Sequence, residues 1–110
     1  MKKLANKLNK KDALALVEAE DFSRTSISFY RYVRLDNVDS LRDKLWIEWT
    51  ELGVLGRIYV SQEGINAQLN VPNHNLEAFR AHVDSIPEFT GVPFKIGVSE
   101  DGISFWKLAI

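Results

Sequence analysis

The stretch Gly53–Val71, GVLGRIYVSQEGINAQLNV, constrains the fold of this chain more than any other. Apolar and polar residues alternate, the alternation breaks at Ser61-Gln62-Glu63-Gly64, and then it resumes. That is the pattern of a β-hairpin closed at a glycine, with Gly64 supplying a positive φ. The second arm, Ile65-Asn66-Ala67-Gln68-Leu69-Asn70-Val71, has a clean two-residue period. Its apolar side chains point one way and its three amides the other. In the first arm Ile58 and Val60 share a side with Gly56, while Leu55, Arg57 and Tyr59 share the opposite one. Pro72 ends the second arm because it has no N–H to give a ladder.

The segments around the hairpin supply its partners. Asp12–Ala19 is rich in helix formers and predicts a short N-terminal helix, followed by a polar break at Asp21–Thr25. Ser26–Arg34 predicts a strand from its β-branched and aromatic content. Asp36-Asn37 offers an N-cap for a helix over Val38–Leu52, whose stripe is Val38, Leu41, Leu45, Trp49 and Leu52. Gly53 stops that helix as a left-handed C′ residue. Asn73 or Asn75 caps a second helix over Leu76–Ser85, with Leu76, Phe79, Val83 and Ile86 on its stripe. Pro87 ends it and Glu88–Pro93 reads as loop. Phe94–Ser99 predicts a strand, Glu100-Asp101-Gly102 a turn, and Ile103–Ile110 a trailing apolar strand.

The order β-α-β-β-α-β specifies an α+β, ferredoxin-like antiparallel sheet with two helices on one face. Its first and third strands lie in the centre. The helices then cover Ile27, Phe29, Ile58, Val60, Ile65, Ala67, Leu69, Phe94, Ile96 and Val98. The other face carries Tyr30, Tyr32, Arg57, Tyr59, Asn66, Gln68, Asn70 and Lys95. Tyrosines on central strands beside amides and an arginine suit the stacking of unpaired RNA bases. The same residues suit packing against another protein surface. The turn adds Glu63, Gly64 and Asn66 as a projecting element that a substrate or neighbouring domain can meet.

At 110 residues and 45% hydrophobic, the chain can bury one core and is not disordered. Residues 1–24 read as a basic arm and short helix, and residues 25–110 as the ferredoxin-like domain. Five lysines and no acid fall within residues 1–11, against nine basic and fifteen acidic residues in the remainder, a balance of 9 − 15 = −6. The absence of cysteine removes disulfides, thiolate metal sites and a cysteine nucleophile together. No apolar segment follows the lysine-rich start, and no apolar run is long enough to span a bilayer. These features point to a cytoplasmic protein without a membrane partner.

Little catalytic chemistry is present. His74 and His82 have no third ligand and read as surface histidines, not a metal site. The acidic pairs Asp36/Asp39 and Glu100/Asp101 suit a helix start and a turn, and neither they nor Glu18/Glu20 come with a general-base partner. Ser28, Ser61 and Ser104 sit in no nucleophile elbow. The loop Arg34-Leu35-Asp36-Asn37 lacks the glycine that an acylphosphatase-type phosphate cradle requires. The final strand ends at Ile110 with no polar residue after it, and we expect the chain to be the front part of a longer protein.

Three blocks carry a family resemblance: Ile27-Ser28-Phe29-Tyr30-Arg31-Tyr32, Gly56–Ala67 (GRIYVSQEGINA), and Gly102-Ile103-Ser104-Phe105-Trp106. Together they resemble the N-terminal domain of the rhodanese-like tRNA uridine hydroxylases, over roughly Thr25 to Ile110. The resemblance implies a ferredoxin-like domain preceding a rhodanese domain that carries the essential cysteine. It further implies hydroxylation of the wobble uridine of certain tRNAs at carbon 5, with molecular oxygen as co-substrate. This chain contains neither a rhodanese domain nor a cysteine, so no catalytic residue and no cofactor carries over to it, and alone it is expected to be inactive. What the resemblance carries over is engagement of tRNA and packing on the rhodanese domain of the same protein. The contact residues expected from the sheet face and turn are Tyr30, Tyr32, Arg57, Tyr59, Glu63, Gly64, Asn66 and Gln68. The rival expectation is a non-catalytic interaction or scaffold domain that does not bind RNA. A small-molecule sensing domain would instead need a ligand cleft at a dimer edge.

Overall fold

The computed structural model describes residues 11–12, 15–16, 19–97 and 107–110. The elements are β1 (Arg24–Tyr32), α1 (Val38–Glu51), β2 (Leu55–Ser61), β3 (Gly64–Pro72), α2 (Leu76–Ser85), β4 (Lys95–Ile96) and β5 (Leu108–Ala109). Short 3₁₀ turns occupy Asn73–Asn75 and Pro87–Phe89. The sheet runs β4-β1-β3-β2-β5. Its β1/β3, β1/β4 and β2/β3 pairs are antiparallel, and β5 joins the β2 edge in parallel. This is the ferredoxin-like arrangement, with β1 and β3 central. Residues 11, 12, 15 and 16 are helical, in agreement with the expected N-terminal helix. The arm before residue 11 lies outside the described residues, as do Val98, Ser99, the 100–102 turn and residues 103–106.

The helices cover the expected side of the sheet. Leu45 and Trp49 of α1 and Phe79 and Val83 of α2 are fully buried against Ile27, Phe29, Ile58, Ile65, Ala67 and Leu69. Trp49 and Phe79 meet at 5.2 Å between ring centroids, and Phe94 stacks on Phe29 and Phe79 at 5.2 and 5.7 Å. Truncating one such buried aromatic costs about 3–5 kcal/mol. Gly53 has φ 77° and closes α1 as expected. Asn75 stands at the head of α2, but its amide does not cap that helix. Its Nδ2 donates to the Leu52 carbonyl at 2.8 Å and so joins the end of α1 to the start of α2.

Several expectations change. Ile96 is 63% exposed, because β4 is an edge strand and nothing among the described residues covers it there. The segment after α2 is more than a loop: its turn buries Phe89 and Val92 completely. Arg80 and Asp84 hold that turn. The guanidinium forms a two-pronged pair with the carboxylate, donates to the Val92 carbonyl at 2.7 Å and lies 4.0 Å over the Phe94 ring. The Gly91 N–H donates to Asp84 Oδ1 at 2.9 Å. The Arg80 hydrogen bonds first, and then the Gly91 N–H, lower the Asp84 pKa from 3.8 to about 2.

His82 is not a surface histidine. Its Nδ1 accepts the indole N–H of Trp49 at 3.0 Å, so the proton of the neutral ring sits on Nε2. Nε2 lies 3.1 Å from Glu48 Oε2, and neither atom meets solvent. The Trp49–His82 hydrogen bond thus fastens α1 to α2 at the outer edge of the core, while Glu48 Oε2 and His82 Nε2 lie close but without hydrogen-bond partners among the described residues.

Candidate nucleic-acid interface on the outer face of the sheet

The ladder register fixes which side chains meet on the face opposite the helices. Tyr30 of β1 pairs with Asn66 of β3, which pairs with Tyr59 of β2. The next row is Ser28, Gln68 and Arg57, with Lys95 of β4 beside Ser28. One step the other way are Tyr32, Gly64 and Ser61. Side chains two residues apart along a strand share a face, so these rows form one surface. Tyr30, Tyr32 and Tyr59 are 66%, 84% and 65% exposed, and Arg57, Asn66 and Gln68 are exposed with them. The Tyr30 and Tyr32 rings touch edge to face at 5.7 Å.

The turn beyond the last row is built by backbone. Gln62 and Glu63 keep negative φ, so the unusual geometry falls on Gly64 at φ 142°. A Cβ at Gly64 would sit 2.0 Å from the Arg31 carbonyl oxygen. The turn carbonyls are also engaged, because the N–H groups of Val33 and Leu35 donate to Glu63 O and Gln62 O at 3.0 and 3.1 Å. Ser61 Oγ accepts the Glu63 N–H at 3.2 Å. Gly64 is therefore buried and contributes close chain approach, whereas the Glu63 side chain is exposed at the rim. The same bonds bear on phosphate chemistry. Two amides of the loop after β1 are already engaged, and the shallow hollow at the start of α1 is lined by Asp36, Asp39 and Gln62. Carboxylates there repel an anion.

At the opposite end the face is closed. Asn70 was expected among the open amides, but it is only 6% exposed. Arg24 covers it: Nη1 donates to Asn70 Oδ1 at 3.0 Å and to the Gly53 carbonyl at 2.7 Å. The same guanidinium grips Glu20 through two bonds of 2.8 and 2.6 Å and lies 5.3 Å over the Phe22 ring. Phe22 in turn meets His74 edge to face at 5.1 Å. The segment read as a polar break is thus a lid on this end. The only local signal for it was Glu20 four residues before Arg24, which is weak without knowing what lies beneath.

Seven of the eight expected contact residues therefore lie on one continuous surface, and Gly64 lies within the ladder below it. None of the polar side chains of Tyr30, Tyr32, Arg57, Tyr59, Asn66 and Gln68 is hydrogen-bonded or ion-paired among the described residues. Lys95 is likewise unpaired there. Arg24, Arg34, Arg42 and Arg80 all have carboxylate partners.

A split βαβ sheet with both crossover helices on one face defines a ferredoxin-like domain, here with an aromatic–amide platform on the other face. Within that class the chain belongs to the family described as the UPF0176 acylphosphatase like domain, whose model matches residues 24–110. It is 59% identical over 92 residues to the tRNA uridine(34) hydroxylase of Leptospira interrogans, covering 84% of this chain and 25% of that protein. It is 45% identical over 106 residues to the protein of the same name from Cronobacter sakazakii, and 42% identical to that from Photorhabdus laumondii. Each of these two alignments covers 96% of this chain and 30% of the relative. The chain thus spans less than a third of the length of the curated relatives it matches. No helix among the described residues is long and apolar enough to cross a membrane.

Proposed function

We propose that this chain is the N-terminal domain of a cytoplasmic tRNA hydroxylase that forms 5-hydroxyuridine at wobble position 34, using molecular oxygen. In this reading the domain itself performs no chemistry. It engages tRNA through the open end of the sheet face and packs on a rhodanese domain that carries the catalytic cysteine. The observation that carries the reading is the pairing of two facts. The relatives named tRNA uridine(34) hydroxylase align over nearly the whole chain, and among the described residues the exposed polar groups of Tyr30, Tyr32, Arg57, Tyr59, Asn66 and Gln68 have no hydrogen-bond or ion-pair partner. On a body of −6, the central rows of that end hold two unpaired cations and no carboxylate. That segregation suits a phosphate backbone with exposed bases.

The test is titration of an unmodified anticodon stem-loop into the intact enzyme, wild type and the double variant Tyr30→Ala/Arg57→Ala. The expected result is weaker binding and slower turnover for the variant. Unchanged affinity and unchanged turnover would refute a substrate role for this face. The scaffold reading, in which a protein surface covers the tyrosines, predicts that unchanged pair, and it predicts packing of that surface that does not weaken as salt rises, whereas RNA binding through phosphates does.

A further inference from the structure

We propose that the row Tyr30–Asn66–Tyr59 is a slot for one unpaired nucleobase, clasped between the two tyrosines with its edge on the Asn66 amide. This rests on the RNA-engaging reading above and goes beyond it by naming the subsite and the part of the nucleotide that each residue takes.

The spacing is set by the sheet. Tyr30 and Tyr59 stand on strands that flank β3, in register with Asn66 between them. Adjacent strands lie about 4.8 Å apart, so the two tyrosines leave the sheet roughly 10 Å apart. Two successive ring contacts of about 5 Å each span that distance, with one planar base in the middle. Among the described residues the Tyr30 ring meets that of Tyr32, two residues along its own strand, edge to face at 5.7 Å, and no ring contact joins it to Tyr59. At the floor, Asn66 is exposed and has no hydrogen bond among the described residues, and its carboxamide carries a donor and an acceptor side by side. A carboxamide so placed matches the adjacent donor and acceptor on the edge of an unpaired base. In a duplex that base is stacked on its neighbours and its pairing edge is taken, so the slot selects single-stranded segments.

The neighbouring row supplies the rest of the nucleotide site. Ser28, Gln68 and Arg57, with Lys95 at the end, lie one step of about 7 Å along the strands. Arg57 and Lys95 are unpaired cations of the face among the described residues and flank the slot on the side where the chain of phosphates would run. On the other side the row Tyr32–Gly64–Ser61 ends the face, with Gly64 buried against the Arg31 carbonyl. The arrangement is thus aromatic–amide–aromatic for the base and, in the order Lys95–Ser28–Gln68–Arg57, a hydroxyl and an amide between two cations for the backbone.

The experiment is fluorescence anisotropy on the full chain with a short labelled single-stranded RNA of mixed sequence, and with the same RNA annealed to its complement. The single strand is expected to bind and the duplex to bind more weakly. Tyr30→Ala and Tyr59→Ala should each weaken single-strand binding roughly 5- to 100-fold, the range for loss of one base–aromatic stack. Tyr30→Phe and Tyr59→Phe should retain it, which also controls for folding. Asn66→Ala should weaken it roughly 5-fold or more and change the preference among homopolymeric RNAs. If both alanine variants bind like wild type while Arg57→Ala still weakens binding, the slot is wrong and RNA engagement stands. A wild-type chain that binds neither RNA overturns both.

Discussion

Arg24 and Arg57 stand on the same face of one sheet, on the two strands that flank β3. The guanidinium of Arg24 is joined to Glu20, Asn70 and the Gly53 carbonyl and covered by Phe22. That of Arg57 meets solvent, and no partner reaches it among the described residues. Each lies near an amide of β3, Asn70 or Gln68, so the local chemistry is alike and the difference comes from what folds over it. A buried amide or guanidinium must be hydrogen-bonded or it destabilises the fold, and the closed end meets that demand through the bonds of Arg24 to Glu20, Asn70 and the Gly53 carbonyl. The open end makes no such demand, because water satisfies its polar groups. Its polar groups and three rings are therefore available to a ligand, whereas those of the closed end are committed to the domain's own stability.

The comparison can be broken most severely at the junction of open surface and backbone. Gly64→Ala places a methyl group against the Arg31 carbonyl and should cost about 3 kcal/mol or more in urea unfolding. A loss below 1 kcal/mol would show that the tail of β1 can leave the turn freely. Next is Arg24→Ala, which strands Asn70 and Glu20 and should cost roughly 2–3 kcal/mol. In a domain of this size that lowers Tm by roughly 10–20 °C. At the open end, Arg57→Ala or Tyr59→Ala should change stability by no more than about 0.5 kcal/mol. A large loss in either would mean the open end is structural after all. The smallest effect concerns Asp84, outside both ends. Its carboxyl is held at about 2 in the folded state against an ordinary 3.8. Its contribution is therefore full above pH 3.8 and disappears as pH falls toward 2. Asp84→Asn should flatten the pH dependence of Tm in that acid window; an unaltered profile would remove Asp84 from the acid response.

Much of this comparison was legible in the sequence. The two-residue period of Ile65–Val71 and the break at Ser61–Gly64 gave the hairpin, and the alternation put Tyr30, Asn66 and Tyr59 on one face; that they share one row follows from the β1/β3 and β2/β3 ladders. The stripes Leu45/Trp49 and Phe79/Val83 gave the face that the helices cover. What failed to show depends on contacts between distant segments. Asn70 shares its period with Asn66 and Gln68, and only a guanidinium arriving from the start of β1 separates it from them. His82 looked solvated because its partner Trp49 is 33 residues away. Ile96 alternates like a core residue, but an edge position leaves it exposed. The residues of the 87–93 segment have no period, since their burial follows from the Arg80–Asp84 pair rather than from a strand or helix.

The crowding at Gly64 bears on how sequences of this kind can be read over generations. The demand on that position comes from the Arg31 carbonyl, and it persists whether or not anything ever binds the sheet. A descendant that no longer handled RNA would still be held to glycine there. Tyr30, Tyr59 and Asn66, which the fold does not require, would be free to drift. Among descendants it is the fate of those three side chains that would record the use of the surface, while the glycine would record only that the chain still folds.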